Sequence, residues 1–134
     1  MDGAYRRPCP PTDPRWRVRD FPGASVTLGH MGELLPFQPA RLDSRYKVLT
    51  SSRQMRHLPS HYVRNNIHGT TSGVCSHAAL LGATHAVGIG RVLVAVDYPF
   101  ESTVEAIDFL RTAQYAPADL DRIAHGNAER ILHL

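Results

Sequence analysis

Two stretches of the chain carry groups that could do chemistry. In "VTLGHMGE" an imidazole, His30, is flanked by Gly29 and Gly32 and followed a few residues on by Glu33. In "VLVAVDYPFE" a carboxylate, Asp97, ends an apolar run. A histidine titrates near neutral pH and can move protons, while a carboxylate can orient it or bind a divalent metal. Glu33 could hold the imidazole in one tautomer, as second partners of metal-bound and proton-transferring histidines do. The flanking glycines permit close backbone approach. The plainer alternatives are a histidine bonded to a backbone carbonyl and an acid that caps a loop or pairs with an arginine.

Such a pair needs elements that bring it together. Arg91 to Val96 is a continuous run rich in β-branched residues and too short for an ordinary helix, which predicts a strand buried on both faces of a parallel sheet. Ser102 and Glu105 have capping-box spacing ahead of Val104, Ile107, Phe109 and Leu110, so Asp97 falls between a strand end and a helix. A first strand is expected over Ser25 to Leu28, ending at Gly29 and His30. "MGELLPFQPARLDSRY" reads as a loop leading into a short or broken helix, interrupted by Pro36 and Pro39. Residues 51–65 predict two short helical pieces split at Pro59. A second strand in "NIHGTTSG" ends near Thr71, and "SHAALLGATHAVG" is an apolar helix closed by Gly88. The tail predicts a helix from Pro117, a break at Gly126 and a last helical turn or two capped by Asn127. Alternation of strand and helix implies an α/β fold with a parallel sheet, in which His30 and Asp97 project from one edge. In such folds that edge binds ligands.

The chain has 134 residues, 43% of them hydrophobic and 20% charged, as in a globular protein of at most one domain. Its net charge of +3 is mild, and Arg6, Arg7, Arg15, Arg17 and Arg19 concentrate the excess in residues 1–20 with Pro8, Pro10, Pro11 and Pro14. That segment predicts an irregular, solvated arm rather than a nucleic-acid-binding one. No apolar run approaches the ~18 residues of a membrane span, and the start lacks a secretory core, so no membrane partner and a cytoplasmic location are expected. Cys9 and Cys75 suggest neither a disulfide framework nor a zinc site. His57 and His61 read as solvated surface, His77 as lining the pocket, and His68, His85, His125 and His133 as structural. No phosphate-cradling glycine motif is present, and "GIGR" is a turn.

The stretches "FPGASVTLGHMGELLPF", "NNIHGTTSGVCSHAALL", "GIGRVLVAVDYPFES" and "IAHGNAERILHL", in this order and spacing, resemble the carboxyl-terminal half of the amidohydrolase-related metal-dependent decarboxylases. This group includes γ-resorcylate, dihydroxybenzoate and aminocarboxymuconate-semialdehyde decarboxylases. The resemblance covers roughly residues 18–134 and implies a (β/α)8 barrel of which this chain is about the last three βα units. It implies one divalent ion, zinc or manganese, and loss of carbon dioxide from aromatic or unsaturated carboxylic acids. Carried over by motif, Asp97 is the metal-ligating aspartate that also exchanges protons in some members. His30 is the catalytic histidine and Glu33 its supporting glutamate. Arg41 aligns with an arginine that reaches into a neighbouring subunit's site, which implies a homo-oligomer, and Phe100 with an aromatic that packs on the substrate ring.

The chain departs from the family where the remaining ligands belong. Members supply them from an E-x-H or H-x-H motif and from a histidine after a middle strand, and neither region occurs here. Asp97 and His30 alone fall short of the ligand set of a catalytic metal site. The expected function is therefore that of a carboxy-lyase family, with little or no activity in this chain by itself and with one sheet edge and an apolar face left open. Two other readings remain: a metal-dependent hydrolase of an ester or lactone, and a non-catalytic piece that docks on another barrel subunit.

Overall fold

A computed structural model of the chain describes residues 21, 23–48 and 55–134. The arm expected over residues 1–20 and the start of the helical piece expected before Pro59 lie outside them. Val26–Leu28 (β1), Ile67–Thr70 (β2) and Val92–Leu93 (β3) form a parallel sheet in the order β1, β2, β3. Val26 pairs with Ile67 and Leu28 with Gly69, while Gly69 and Thr70 pair with Val92 and Leu93. The parallel sheet of the sequence reading is present, and every crossover is helical, as parallel pairing demands.

Between β1 and β2 lie Pro39–Val48 (α1) and Pro59–Asn66 (α2). Pro36 and Pro39 fall in a 3-10 turn and at the first position of α1, so the helix itself is unbroken. Among the described residues no helical piece runs up to Pro59: residues 55–58 are non-helical and Pro59 starts α2. His77–Val87 (α3) joins β2 to β3. The Ser76 hydroxyl accepts from the Ala79 amide, and Gly88, at φ +92°, ends the helix. Leu80, Ala83, Thr84 and Val87 form the buried stripe of α3, and Leu80, Ala83 and Val87 pack with Val63, Val92, Phe109 and Ile123 into the core.

After β3 come Thr103–Arg111 (α4), Pro117–Asp121 (α5) and Asn127–Leu132 (α6). Ser102 accepts the Glu105 amide at 3.3 Å, which makes the expected N-cap of α4. The break expected at Gly126 is absent. A π-helical turn, Arg122–Gly126, carries α5 straight into α6, and Asn127 has helical angles rather than capping ones. Its side chain is instead buried and donates to the carbonyls of Ile89 and Val92, each at 2.8 Å.

The third strand is shorter than its apolar run. Arg91 belongs to a 3-10 turn over Ile89–Arg91, and only Val92 of the run is buried. Past Leu93 the partners change rather than vanish. The Thr71 hydroxyl accepts the Ala95 amide at 3.0 Å and donates to the Ala95 carbonyl at 2.8 Å, standing in for a further residue of β2. The outward edge of β3 is partly covered, because the Val94 amide donates to Ile123 O and Val92 O accepts from Asn127. Among the described residues no helix is long and apolar enough to cross a membrane.

Candidate functional site

β1 delivers the chain to the sheet edge at Gly29, and a 3-10 turn over His30–Gly32 then reverses it. The His30 amide donates to Ser72 O at 3.1 Å, which ties this turn to the one after β2. Met31 is 2% exposed and anchors the turn in the core, leaving His30 and Glu33 on its outer side. From β3 the chain reaches Asp97, whose carbonyl accepts from the amides of Phe100 and Glu101. Three strand ends thus meet at one edge.

His30 Nδ1 lies 2.9 Å from Glu33 Oε1, and His30 Nε2 lies 3.4 Å from Asp97 Oδ2. The first distance is a firm charge-assisted bond and the second a long one. His30, Glu33 and Asp97 all hold positive φ, at 51°, 55° and 79°. A left-handed residue other than glycine costs on the order of 1–3 kcal/mol, and such strain gathers at functional sites. The core residue Met31 (φ 57°) shares the first of these turns, and His133 (φ 56°) lies apart from the trio.

The Glu33 bond, and secondarily the Asp97 contact, raise the His30 pKa above its ordinary 6.5. Protonation makes both ring nitrogens donors, one to each carboxylate. A neutral ring bonded to Glu33 through Nδ1–H would turn the Nε2 lone pair toward the Asp97 carboxylate. Because the folded pKa is raised, this contribution to stability is complete below pH 6.5 and is lost as pH rises through the folded value. It is small, since the His30 side chain is 46% exposed. Glu33→Gln is expected to lower the His30 pKa toward 6.5, as read from the imidazole protons by NMR titration. An unmoved titration would show that Glu33 does not hold the ring.

The expected residues divide clearly. His30, Glu33 and Asp97 come together. Phe100 closes the Asp97 turn and is 85% exposed. Arg41 is exposed on α1, and among the described residues no hydrogen bond or ion pair joins it to the trio. His77 does not line this site: its ring stacks on Phe109 and its Nε2 lies 3.1 Å from Phe109 O, so it ties α3 to α4. His57 and His61 are exposed and stacked on each other, with ring centroids 4.0 Å apart. His68 is buried within β2 with Arg91 at its Nε2, and burial lowers its pKa. Thr71, Ser72 and Gly73 were not singled out by the sequence reading. Their signal was position, since "TTSG" follows β2 at the edge that holds His30 and Asp97.

His30 Nε2 and Asp97 Oδ2 could offer a cation two donors. Among the described residues no group of three or more His, Cys, Asp or Glu side chains could hold a metal ion. The described residues by themselves do not supply the ligand set of a catalytic metal centre. Among the described residues, two cavities of about 530 and 460 Å3 are lined by Phe37, Arg64 and His85 and by His77, Leu81 and Tyr115. Neither is lined by the trio, which stands on an open edge.

Comparison with known proteins gives this edge a context. The family model for amidohydrolases matches residues 17–134. A γ-resorcylate decarboxylase from Rhizobium sp. strain MTP-10005 is 33% identical over 117 residues, which are 86% of this chain and 36% of that protein. The crystal structure of 5-carboxyvanillate decarboxylase from Sphingomonas paucimobilis superposes with a TM-score of 0.83 at 38% identity, over 87% of this chain and 36% of the other. A dihydroxybenzoic acid decarboxylase from Polaromonas sp. JS666, solved with bound manganese and an inhibitor, gives 0.78 at 30% identity over 87% and 36%. This chain therefore spans about a third of the length of the relatives it matches.

Proposed function

This chain belongs to the amidohydrolase family, matched over residues 17–134, and on that premise we propose that it forms the last three βα units of a (β/α)8 decarboxylase barrel. The substrate class is an aromatic or unsaturated carboxylic acid. The observation that carries the reading is the Glu33–His30–Asp97 chain at the strand-end edge, with contacts of 2.9 and 3.4 Å. Decarboxylation of an arene carboxylate needs a proton placed on the ring carbon that bears the carboxylate. The carbon–carbon bond then breaks, its electron pair restores the aromatic ring, and carbon dioxide leaves. An imidazolium flanked by two carboxylates stores such a proton and regains it from solvent.

Asp97 is this chain's contribution to the divalent-metal centre that the manganese-bound relative suggests; zinc and manganese both suit a carboxylate ligand. Phe100, exposed beside Asp97, is placed to pack on a substrate ring. Arg41, exposed and away from its own trio, suits contact with a neighbouring subunit of a homo-oligomer.

The test joins residues 21–134 to the portion of the Rhizobium relative that this chain does not match. With manganese, the joined protein is expected to release carbon dioxide from γ-resorcylate, and the 134-residue chain alone is expected to release none above background. A joined protein that folds and binds manganese yet hydrolyses esters and releases no carbon dioxide would replace this reading with the hydrolase one.

A further inference from the structure

The turn after β2 is the third strand end at this edge, and Gly73 is its closest approach to the reacting groups. Gly73 has φ +65°, and a Cβ built on it would lie 2.8 Å from His30 Cδ2, 3.1 Å from His30 Nε2 and 3.1 Å from Asp97 Oδ2. Carbon–carbon contacts settle at about 3.5–4.0 Å, so the first distance requires something to shift. Retreat of the imidazole has a specific cost. The His30 ring is held from its far side by Glu33 Oε1 at 2.9 Å, so turning it away from a Cβ here strains that bond and opens the Asp97 contact.

Other glycines with positive φ or close neighbours do not obstruct the trio. Gly32, at φ +79°, would meet the ring of Pro36 at 3.1 Å and neither His30 nor Asp97. Gly88, at φ +92°, faces open space, so only its backbone angle matters. A Cβ at Gly82 would meet the ring of Phe37, a side chain 54% exposed and free to swing away. At Gly73 the obstructed atoms are the two polar groups whose separation defines the site.

We propose that Gly73 is a positioning residue: the absence of a side chain there lets His30 Nε2 and Asp97 Oδ2 close to 3.4 Å. Its relevance to catalysis rests on the decarboxylase reading, but the pairing itself does not, so the test uses no turnover. Gly73→Ala carries two separable penalties, the left-handed backbone and the methyl wedge. Only the wedge depends on His30.

The experiment is a double-mutant cycle in the 134-residue chain, with urea midpoints of wild type, G73A, H30A and G73A/H30A. The midpoint shift caused by G73A is expected to be at least halved in the H30A background, or G73A is expected to fold only there. An equal cost in both backgrounds, including failure to fold in both, would assign the whole effect to strain and overturn the proposal. A second readout is the His30 imidazole nitrogen spectrum at fixed pH. Gly73→Asn, which tolerates positive φ yet carries a Cβ, is expected to move the Nε2 signal in the direction that Asp97→Asn moves it. A Nε2 signal left at its wild-type place in Gly73→Asn would also overturn the assignment.

Discussion

In the joined protein, His30→Asn and Asp97→Asn are each expected to lower kcat for carbon dioxide release by about 10²–10⁴-fold, the range typical of losing a positioned acid or base. Asparagine keeps the approximate size of each side chain and accommodates the positive φ that both positions hold. The loss would then report missing proton chemistry rather than a rebuilt turn. If His30 and Asp97 act as one proton-handling unit across their 3.4 Å contact, the double variant is expected to be little worse than the more damaging single one. Glu33→Gln should cost less, because it leaves the imidazole in place and removes only its support. The decisive comparison is kcat against KM, from carbon dioxide release measured across substrate concentrations up to saturation. A raised KM at unchanged kcat for His30→Asn would mean that the histidine binds substrate and moves no proton, which contradicts the assignment.

The sequence was most informative where chemistry and periodicity coincided. His30 and Asp97 could be placed at one edge because each ends an apolar strand-like run, and a parallel sheet puts such ends together. Glu33 was legible from its spacing, which the left-handed turn converts into a 2.9 Å bond. The reading failed where a residue's partner lay far along the chain. Asn127 after Gly126 has the local signature of a break and a cap, yet its amide is spent on carbonyls far earlier in the chain. Thr71 does mark the end of its strand, as read, but nothing local announces that its hydroxyl carries the ladder on to Ala95. Gly73 had no local mark distinguishing it from an ordinary turn glycine, since its role is set by how near other strand ends approach it. Long-range polar clamps and steric vacancies leave no periodicity to read.

Asn127→Ala is expected to destabilise the chain by about 2–4 kcal/mol, since each buried polar group left without a partner costs about 1–3 kcal/mol. Asn127 is 2% exposed, and its amide serves both Ile89 O and Val92 O. Alanine would strip the donor from both carbonyls and leave a small void beside them. The geometry of β3 makes the location sensitive. Leu93 O accepts from the Thr71 amide, toward β2, so the alternating carbonyls of the strand turn Val92 O to the opposite edge. That edge is held by Asn127 and by the bond from the Val94 amide to Ile123 O. Loosening it releases the segment that carries Asp97, so local opening should accompany the global loss. Urea unfolding should show a lower midpoint at unchanged m, and hydrogen exchange should show faster exchange at the Val94 amide. Asn127→Asp should be worse than alanine, because a carboxylate there faces two carbonyl oxygens with no donor to offer. A midpoint within the ~0.5 kcal/mol typical of surface substitutions would mean that Asn127 is an ordinary helix residue and that β3 is held by other contacts.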